Sequence, residues 1–180
     1  VIPKPLLPIG EKSVLEIQIE KLKEYGFNEI FLATNYRSEY IENFFGSGSS
    51  YGVKLKISKE TKPLGTIGPL SLLKNELTEP FLVMNGDILT QTNLKDLYDF
   101  SNSKQSLLTI STKELITPFQ FGNIYGNGDV VTKIEEKPNI KTNILAGIYI
   151  IKPELLKYIP NNTYFGMDQL INFMLEKNME

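Results

Sequence analysis

The alternation of amphipathic helices with short apolar strands is the feature that most constrains the fold of this chain. Between Ser13 and Tyr25 apolar residues recur at helical spacing, Ser13 suits the N-cap, and Gly26 suits the C-terminal stop. The apolar run at residues 29–34 then predicts a strand, and residues 38–45 predict a second helix. Such an alternation is typical of a parallel sheet flanked by helices.

The alternation continues through the middle of the chain. Residues 53–57 alternate with period two, which predicts a strand, and residues 66–77 have a helical pattern. The continuous apolar run at residues 80–84 predicts a buried central strand. A helix over about residues 94–101 leads to a strand at residues 107–110. The sequence therefore predicts an α/β fold with a mainly parallel sheet.

The alternation of predicted helices and strands ends after Pro118. Residues 126–129 read Gly-Asn-Gly-Asp between β-prone segments, which predicts a hairpin, and strands are predicted at residues 130–134 and 147–151. This C-terminal half is predicted to carry an antiparallel portion, followed by an amphipathic helix over residues 168–177. The length of 180 residues fits a single domain, 1–180.

Composition excludes several classes of function. The 19 basic residues against 21 acidic ones give a net charge of -2, which offers no broad basic surface for nucleic acid or an anionic membrane. The chain has no cysteine and no histidine, so its chemistry must use carboxylates, lysine, backbone amides and hard metal ions. No apolar run approaches the ~20 residues that span a bilayer, and no signal peptide is recognisable, so a cytoplasmic location is expected.

The motif Asn85-Gly86-Asp87 directly follows the predicted central strand. In open α/β sheets ligands collect at the carboxyl ends of strands, where a carboxylate can hold a metal over bound phosphates. Asp87 is therefore the leading candidate for a metal ligand. From these residues alone, a simple strand-ending turn is an equally good interpretation.

The loop over residues 59–69 places Gly65 and Thr66 immediately before a helical pattern. Such a loop can present backbone amides to an anion or a base, and glycine lets the backbone approach closely. Its spacing is not that of a Walker or Rossmann fingerprint, so a plain connection is the simpler interpretation of the loop alone.

Glu136 and Lys137 form a charged pair before Pro138. A carboxylate can accept hydrogen bonds from vicinal sugar hydroxyls, and a lysine supplies a point charge for a phosphate. Taken alone, the pair is more typical of a solvated charged turn. Lys4, between two prolines, is also unremarkable alone, although proline would restrict its backbone.

Taken in order, these segments resemble the sugar nucleotidyltransferase family, which includes mannose-1-phosphate guanylyltransferases and glucose-1-phosphate thymidylyltransferases. The resemblance covers essentially the whole chain and depends on the ordered co-occurrence of its motifs. The resembling stretches are Pro3-Lys4-Pro5-Leu6-Leu7-Pro8, Tyr51-Gly52-Val53, Pro63-Leu64-Gly65-Thr66, residues 80–87, Glu136-Lys137-Pro138 and Ala146-Gly147-Ile148-Tyr149.

The resemblance implies a GT-A-like, Rossmann-like three-layer sandwich that joins a nucleoside triphosphate to a sugar-1-phosphate and releases pyrophosphate. It implies that Asp87 binds Mg²⁺ and that Lys4 stabilises charge on the phosphates. The residues implied in nucleotide binding are Glu60, Pro63, Gly65, Thr66 and Gly86. On the sugar side, Glu136 would bind hydroxyls and Lys137 the phosphate, while the pocket would be lined by Gly122, Asn143, Ala146 and Gly147. The resemblance leaves homo-oligomerisation open.

The chain departs from the family pattern in several places. The family's Gly-x-Gly-Thr-Arg segment is expected just before Val1, and a second metal-binding aspartate beyond Glu180. The domain is therefore expected to be incomplete, and the chain alone inactive. Residues 120–122 read Gln-Phe-Gly where the family has Pro-Tyr-Gly, and residues 165–169 read Phe-Gly-Met-Asp-Gln in place of Phe-Asp-Met-Pro-Asp, so the sugar stays open.

Glu60 is relevant to which nucleotide base the protein would bind. Thymidylyl enzymes of the family tend to carry glutamine here, whereas a carboxylate offers only acceptors and matches the adjacent N1–H and N2–H donors of guanine. We therefore expect GTP, with mannose-1-phosphate or a related hexose-1-phosphate. The alternatives are a solvent-facing Glu60, a thymidylyl or uridylyl enzyme, and a non-catalytic nucleotide-sugar-binding homologue. A GT-A glycosyltransferase is disfavoured because Ile88 and Leu89 follow Asp87 where an Asp-x-Asp motif is usual.

Overall fold

The structure is a computed structural model that describes residues 3–34 and 38–179. Its α-helices are α1 (Val14–Glu24), α2 (Ser38–Phe45), α3 (Leu94–Lys104) and α4 (Met167–Glu176). Its strands are β1 (Pro8–Ile9), β2 (Lys12–Ser13), β3 (Glu29–Thr34), β4 (Lys54–Lys59), β5 (Phe81–Met84), β6 (Leu108–Pro118), β7 (Asn123–Asn127), β8 (Val130–Glu135) and β9 (Asn139–Ile151). Short 3₁₀ helices cover Lys4–Leu6, Ser49–Tyr51, Gly68–Leu72 and Pro153–Tyr158.

The chain divides into two compact units. Unit 1 comprises Val1–Thr109 and Ile148–Glu180, and unit 2 comprises Ile110–Gly147. Within the described ranges, no helix is both long and apolar enough to cross a membrane.

Helix α1 begins at a capping box. The Ser13 hydroxyl accepts a hydrogen bond from the Glu16 amide at 3.3 Å, and the Glu16 carboxylate accepts one from the Ser13 amide at 2.7 Å. These bonds satisfy amides that have no partner inside the helix. After the helix, Gly26 has φ +88°, a left-handed conformation that suits glycine. The predicted start and stop of this helix are both confirmed.

Strands β3 and β4 form a parallel pair in which Glu29 lies opposite Lys54 and Thr34 opposite Lys59. Helices α1 and α2 bury their apolar residues with this pair. The resulting core cluster consists of Leu15, Ile19, Ile30, Ile41, Phe45, Val53 and Leu55. The predicted strand at residues 29–34 and helix at residues 38–45 are confirmed.

Strand β5 belongs to a three-stranded sheet of order β5-β9-β6. It pairs antiparallel with β9, from Phe81 opposite Ile151 to Met84 opposite Ile148. The predicted strand is present, but its predicted position in the middle of a sheet is wrong for the described residues. Its residues are only half-buried because β9 covers one of its edges and no other described strand pairs with it.

The predicted helix at residues 66–77 is replaced by the 3₁₀ helix Gly68–Leu72 and turns. The apolar residues that gave the helical spacing are nevertheless buried, namely Leu70, Leu73 and Leu77. The backbone amides of Leu70 and Leu73 donate to carbonyls three residues earlier, at Ile67 and Leu70, which is the 3₁₀ pattern rather than the α-helical one. The amides of Ile67 and Gly68, at the start of this segment, donate to the Phe165 carbonyl.

Unit 2 contains the predicted hairpin, in which β7 and β8 pair antiparallel with Asn123 opposite Glu135. Gly128 has φ +58° in the turn between them, and an irregularity in register follows Tyr125. Together with the parallel pair β3–β4, these antiparallel strands make the chain a mixed α/β protein, as predicted.

Candidate functional site

A cavity of about 1070 Å³ lies in unit 1 between β3 and β5 and is lined by every residue of both strands. Its walls are completed by apolar residues of α1 and of the segment around Pro69. Strand β3 pairs with β4 and β5 pairs with β9, and no further described strand joins either of them. The cavity therefore runs between two strands that are each paired on one edge.

Polar residues line this cavity at both ends of its strands. Asn28, Glu29, Thr78 and Glu79 lie at the amino ends, and the residues predicted from the sequence lie at the carboxyl ends. Glu60 lies at the end of β3, since its amide donates to the Thr34 carbonyl at 2.9 Å. Gly86 and Asp87 directly follow β5, and Lys4 also lines the cavity. The structure thus places Lys4, Glu60, Gly65, Thr66, Gly86 and Asp87 around one cavity. This is the part of an open sheet where ligands usually bind.

Asp87 lies exposed in a turn between Asn85 and Ile88. The Ile88 amide donates to the Asn85 carbonyl at 3.3 Å and closes this turn. The Gln18 side chain of α1 reaches the same turn and donates to the carbonyls of Asn85 and Ile88. The sequence interpretation missed Gln18. Its signal was a polar residue that follows Leu15 by three positions and so shares the buried face of α1.

Lys4 begins the 3₁₀ helix Lys4–Leu6, and its carbonyl accepts from the Leu7 amide at 3.1 Å. A Cβ placed on Gly86 would lie 3.4 Å from the Pro5 side chain, which is ordinary van der Waals contact. The segment that carries Lys4 therefore packs directly beside the turn that carries Asp87. The Lys4 side chain itself is exposed.

We call residues 60–66 the base loop, because the resemblance to the family implies that they bind the nucleotide base. The side chain of its first residue, Glu60, is bonded to the backbone later in the loop. The Glu60 carboxylate accepts a hydrogen bond from the Leu64 amide at 2.9 Å. Glu60 is half-buried and lines the cavity, so it is not a freely solvated loop residue. Pro63 is exposed and lies outside the cavity lining.

The end of the base loop packs against the residues before α4. Gly65 has φ +81°, and a Cβ there would lie 2.8 Å from the Phe165 carbonyl oxygen. The Thr66 hydroxyl accepts a hydrogen bond from the Met167 amide at 2.9 Å, at the first residue of α4. Gly65 thus has a structural requirement for glycine, and Thr66 serves as an N-terminal partner of α4.

The predicted sugar-binding residues lie in unit 2. A Cβ on Gly122 would lie 3.0 Å from a carboxylate oxygen of Glu136, so the structure brings these two residues together. Lys137 has φ +46°, an uncommon backbone conformation for a residue with a side chain. On β9, Asn143 is exposed, Ala146 is half-buried and Gly147 is buried.

The two adjacent glutamates of unit 2 differ in their contacts. Glu135 accepts hydrogen bonds from Lys133 at 2.5 Å and from the Tyr125 hydroxyl at 2.8 Å. These partners, Lys133 first, hold the pKa of Glu135 below its ordinary value. Glu135 is therefore bonded within the hairpin, while Glu136 is exposed and lies beside Gly122.

The donor set around Asp87 fits a hard cation only in part. No group of three or more potential ligands among histidine, cysteine, aspartate and glutamate occurs in the described ranges. Mg²⁺ usually binds through one or two carboxylates, with substrate phosphates and waters completing its octahedral shell. The exposed Asp87 carboxylate is suited to supply one such oxygen.

Comparisons with protein families and known proteins identify proteins to which this chain is similar. The family model described as "Nucleotidyl transferase" matches residues 1–177. The chain is 36% identical over 167 residues to "Probable mannose-1-phosphate guanylyltransferase 1" of Oryza sativa subsp. japonica, covering 88% of this chain and 46% of the relative. It is 35% identical to "Mannose-1-phosphate guanyltransferase" of Saccharomyces cerevisiae, with the same coverage of 88% and 46%. The chain thus spans about half the length of these relatives.

The fold is similar to that of HddC from Yersinia pseudotuberculosis complexed with GMP-PN. The TM-score is 0.71 at 27% identity, and the match covers 92% of this chain and 73% of HddC. This similarity confirms the predicted α/β, Rossmann-like fold class.

Proposed function

Because its residues match the family model almost throughout, this chain belongs to the nucleotidyl transferase family, and we propose that the whole protein is a sugar-1-phosphate guanylyltransferase. Its substrates would be GTP and mannose-1-phosphate or a related hexose-1-phosphate. The observation that carries the proposal is the placement of Lys4, Glu60 and Asp87 around one cavity at the carboxyl ends of β3 and β5. The relatives named as mannose-1-phosphate guanylyltransferases support the choice of sugar and base.

The proposed reaction is an in-line displacement at phosphorus. An oxygen of the sugar-1-phosphate forms a bond to the α-phosphorus of GTP, and the bond from that phosphorus to the β-phosphate bridging oxygen breaks. Pyrophosphate leaves with the bonding electrons. Such a transfer depends on alignment and charge neutralisation more than on acid–base chemistry, so a chain without histidine is suited to it.

Each polar residue of the cavity has a role in this proposal. Lys4 places an ammonium charge beside the phosphates, and the packing of Pro5 against Gly86 keeps it near Asp87. Asp87 supplies a carboxylate ligand for Mg²⁺, which when bound would neutralise charge on the phosphate oxygens. The exposure of both side chains leaves them accessible to a ligand in the cavity.

Glu60 is proposed to select guanine. A carboxylate has about four lone-pair positions, and the Leu64 amide occupies one of them. The others remain suited to the adjacent N1–H and N2–H donors of guanine. The hydrogen bond from Leu64 also fixes the direction of the carboxylate, which favours a geometrically specific contact.

Unit 2 is proposed to contribute the sugar contacts. Glu136 would accept hydrogen bonds from sugar hydroxyls, and the absence of a side chain at Gly122 leaves room beside its carboxylate. Lys137 would bind the sugar phosphate, and Asn143, Ala146 and Gly147 would line the sugar pocket. These roles follow from the family motifs.

The test is a pyrophosphate-release assay of the full-length protein against a grid of nucleoside triphosphates and sugar-1-phosphates. GTP with mannose-1-phosphate is expected to give the highest rate. Asp87→Asn is expected to lower the rate by about 100-fold or more, because it removes a charge at the reacting phosphates. Asp129→Asn, at an exposed aspartate of the β7–β8 turn, is the matched control and should leave the rate unchanged.

The outcomes of this assay separate the alternatives. Full activity of Asp87→Asn would remove the metal role of Asp87. No pyrophosphate from any substrate pair, together with retained nucleotide binding, would favour a regulatory homologue over an enzyme. The predicted inactivity of the 180-residue chain alone stays a prediction, which the same assay tests.

The base is tested separately by calorimetric titration of the full-length protein with GTP, dTTP and UTP. GTP is expected to bind most tightly, and Glu60→Gln is expected to reduce its advantage because a glutamine replaces one acceptor by a donor. Tighter binding of dTTP or UTP by the unmodified protein would contradict the assignment.

A further inference from the structure

Gln18 is a buried amide with an unusual pair of partners. It lies on α1 with only 6% of its surface exposed. Its Nε2 atom donates to the Asn85 carbonyl at 3.0 Å and to the Ile88 carbonyl at 2.6 Å. A primary amide has two N–H donors, so both are engaged by this one turn. The two carbonyls flank Asp87 in the chain.

We propose that Gln18 is a positioning residue for the transfer reaction and acts by fixing the turn that presents Asp87. This inference rests on the proposed role of Asp87 as a ligand for Mg²⁺. By holding the carbonyls on both sides of the turn, Gln18 sets the orientation of the backbone that carries the Asp87 carboxylate. Groups that bind a metal are commonly oriented in this indirect way, through partners that do not touch it.

The turn needs such a support because, apart from the packing of Pro5 beside Gly86, few described contacts hold its backbone. The ladder between β5 and β9 ends at Met84, opposite Ile148. Beyond it, among the described residues, the turn is closed by the single backbone bond from Ile88 to Asn85, which is long at 3.3 Å. Gly86 contributes no side chain, and the exposed Asp87 side chain cannot be fixed by packing.

Helix α1 does not depend on Gln18 for its own position. Its start is fixed by the capping box of Ser13 and Glu16, and its apolar face is held in the core by Leu15 and Ile19. Loss of the Gln18 amide should therefore release the turn and leave the helix in place. A second cavity of about 410 Å³ is lined by Gln18 and Ile88, so water can approach Ile88 when its partner amide is removed.

The experiment compares Gln18→Met with Gln91→Met in the full-length protein. Methionine keeps the length of the side chain and removes both donors, while Gln91 is an exposed glutamine close in sequence to the turn. We expect Gln18→Met to lower kcat by about 10- to 100-fold and to raise the Mg²⁺ concentration for half-maximal rate, the usual range for losing an indirect partner of a metal ligand. The KM for GTP and the circular dichroism spectrum should change little.

A second readout needs neither metal nor substrate. Hydrogen–deuterium exchange of the segment 85–88 should be faster in Gln18→Met than in the unmodified protein, and unchanged in Gln91→Met. Equal kcat, Mg²⁺ dependence and exchange in the two variants would overturn the proposal. A loss of activity explained entirely by a higher KM for GTP, with unchanged exchange, would also overturn it.

If Gln18→Met does not fold, Gln18→Asn provides the test. The shorter amide keeps both donors and cannot reach both carbonyls at their present distances, so an intermediate loss of kcat is expected. Full activity with unchanged Mg²⁺ dependence would overturn the proposal. Failure of the proposed function is distinguishable, because it would appear as no pyrophosphate from any substrate pair or as full activity of Asp87→Asn, whereas the exchange of segment 85–88 tests the support of the turn without activity.

Discussion

Gly65 is the residue at which the packing of the base loop can be tested most directly. It has φ +81°, and a Cβ would lie 2.8 Å from the Phe165 carbonyl oxygen and 3.1 Å from its carbon. That carbonyl accepts hydrogen bonds from the amides of Ile67 at 3.2 Å and Gly68 at 3.0 Å. Gly65→Ala must therefore adopt a strained backbone and also displace a carbonyl that holds the loop.

The expected cost follows from these two effects. The left-handed conformation costs about 1–2 kcal/mol for a residue with a Cβ. Displacement of the Phe165 carbonyl weakens two hydrogen bonds that are worth about 0.5–1.5 kcal/mol each. Alanine has less conformational freedom than glycine in the unfolded chain, and this difference offsets about 0.4–1 kcal/mol of the lost stability. The free energy of unfolding should therefore fall by about 3 kcal/mol.

Two other glycines separate the two effects. Gly26 has φ +88°, and a Cβ there would have no atom within 4 Å. Gly26→Ala should therefore lower the free energy of unfolding only through the strained backbone, by about 1 kcal/mol once the lower entropy of alanine in the unfolded chain is subtracted. Gly68 does not have a left-handed φ, but its Cβ would lie 2.7 Å from the Thr163 carbonyl oxygen. Gly68→Ala should therefore show the cost of the close contact without that of the backbone.

Urea unfolding of the three variants measures these differences. Gly65→Ala should be the least stable, with an unchanged dependence of the free energy on urea concentration. If Gly65→Ala lost no more stability than Gly26→Ala, the close approach of the base loop to Phe165 would not limit the residue at this position, and the reasoning would be refuted.

Two predictions concern the start of α1. Ser13→Ala should lower the free energy of unfolding by about 1 kcal/mol, measured in urea, because it removes the side-chain cap; an unchanged value would contradict the role of the cap. Hydrogen bonds, first that from the Ser13 amide, hold the pKa of Glu16 below its ordinary value of 4.5. The ionised carboxylate therefore stabilises the fold above that pH, and this stability is lost as the pH falls through the lowered pKa. Glu16→Gln should flatten the acid side of the stability profile, and an unaltered profile would show that Glu16 is not coupled to folding.

Elements whose ends are fixed by nearby residues were predictable from the sequence. The capping serine and the glycine after α1 act within a few residues of the helix, so the pattern contains the information needed to place it. Residues 66–77 show the opposite case. Their apolar residues do recur at helical spacing. However, the amides of Ile67 and Gly68 donate hydrogen bonds to the carbonyl of Phe165, which lies nearly a hundred positions further along the chain. No local pattern can include such a partner.

The candidate site divides in the same way. The position of Asp87 beside the cavity could be predicted because its turn follows a strand, and strand ends gather at one edge of a sheet. Glu60 was implied only by the resemblance to the family. Gln18 could not be predicted, because its partner carbonyls lie 67 and 70 positions further along the chain. A polar residue on the buried side of a helix does not reveal which backbone groups it meets.

The residues proposed to meet the phosphates, Lys4 and Asp87, are exposed and so cannot be aimed by the packing of their own side chains. Their direction is set by the backbone beneath them. At Lys4 that backbone is held by a local bond from the Leu7 amide, and at Asp87 the turn is held by a side chain from a distant part of the chain. Gln18 holds the Asp87 turn, and the Phe165 carbonyl holds the end of the base loop. Because the bonds of Gln18 join regions that are each folded by other contacts, losing them should reduce catalysis more than it reduces stability, unlike displacement of the Phe165 carbonyl. The Gln18 side chain, rather than the apolar core or Gly65, is therefore where a substitution should separate activity from folding.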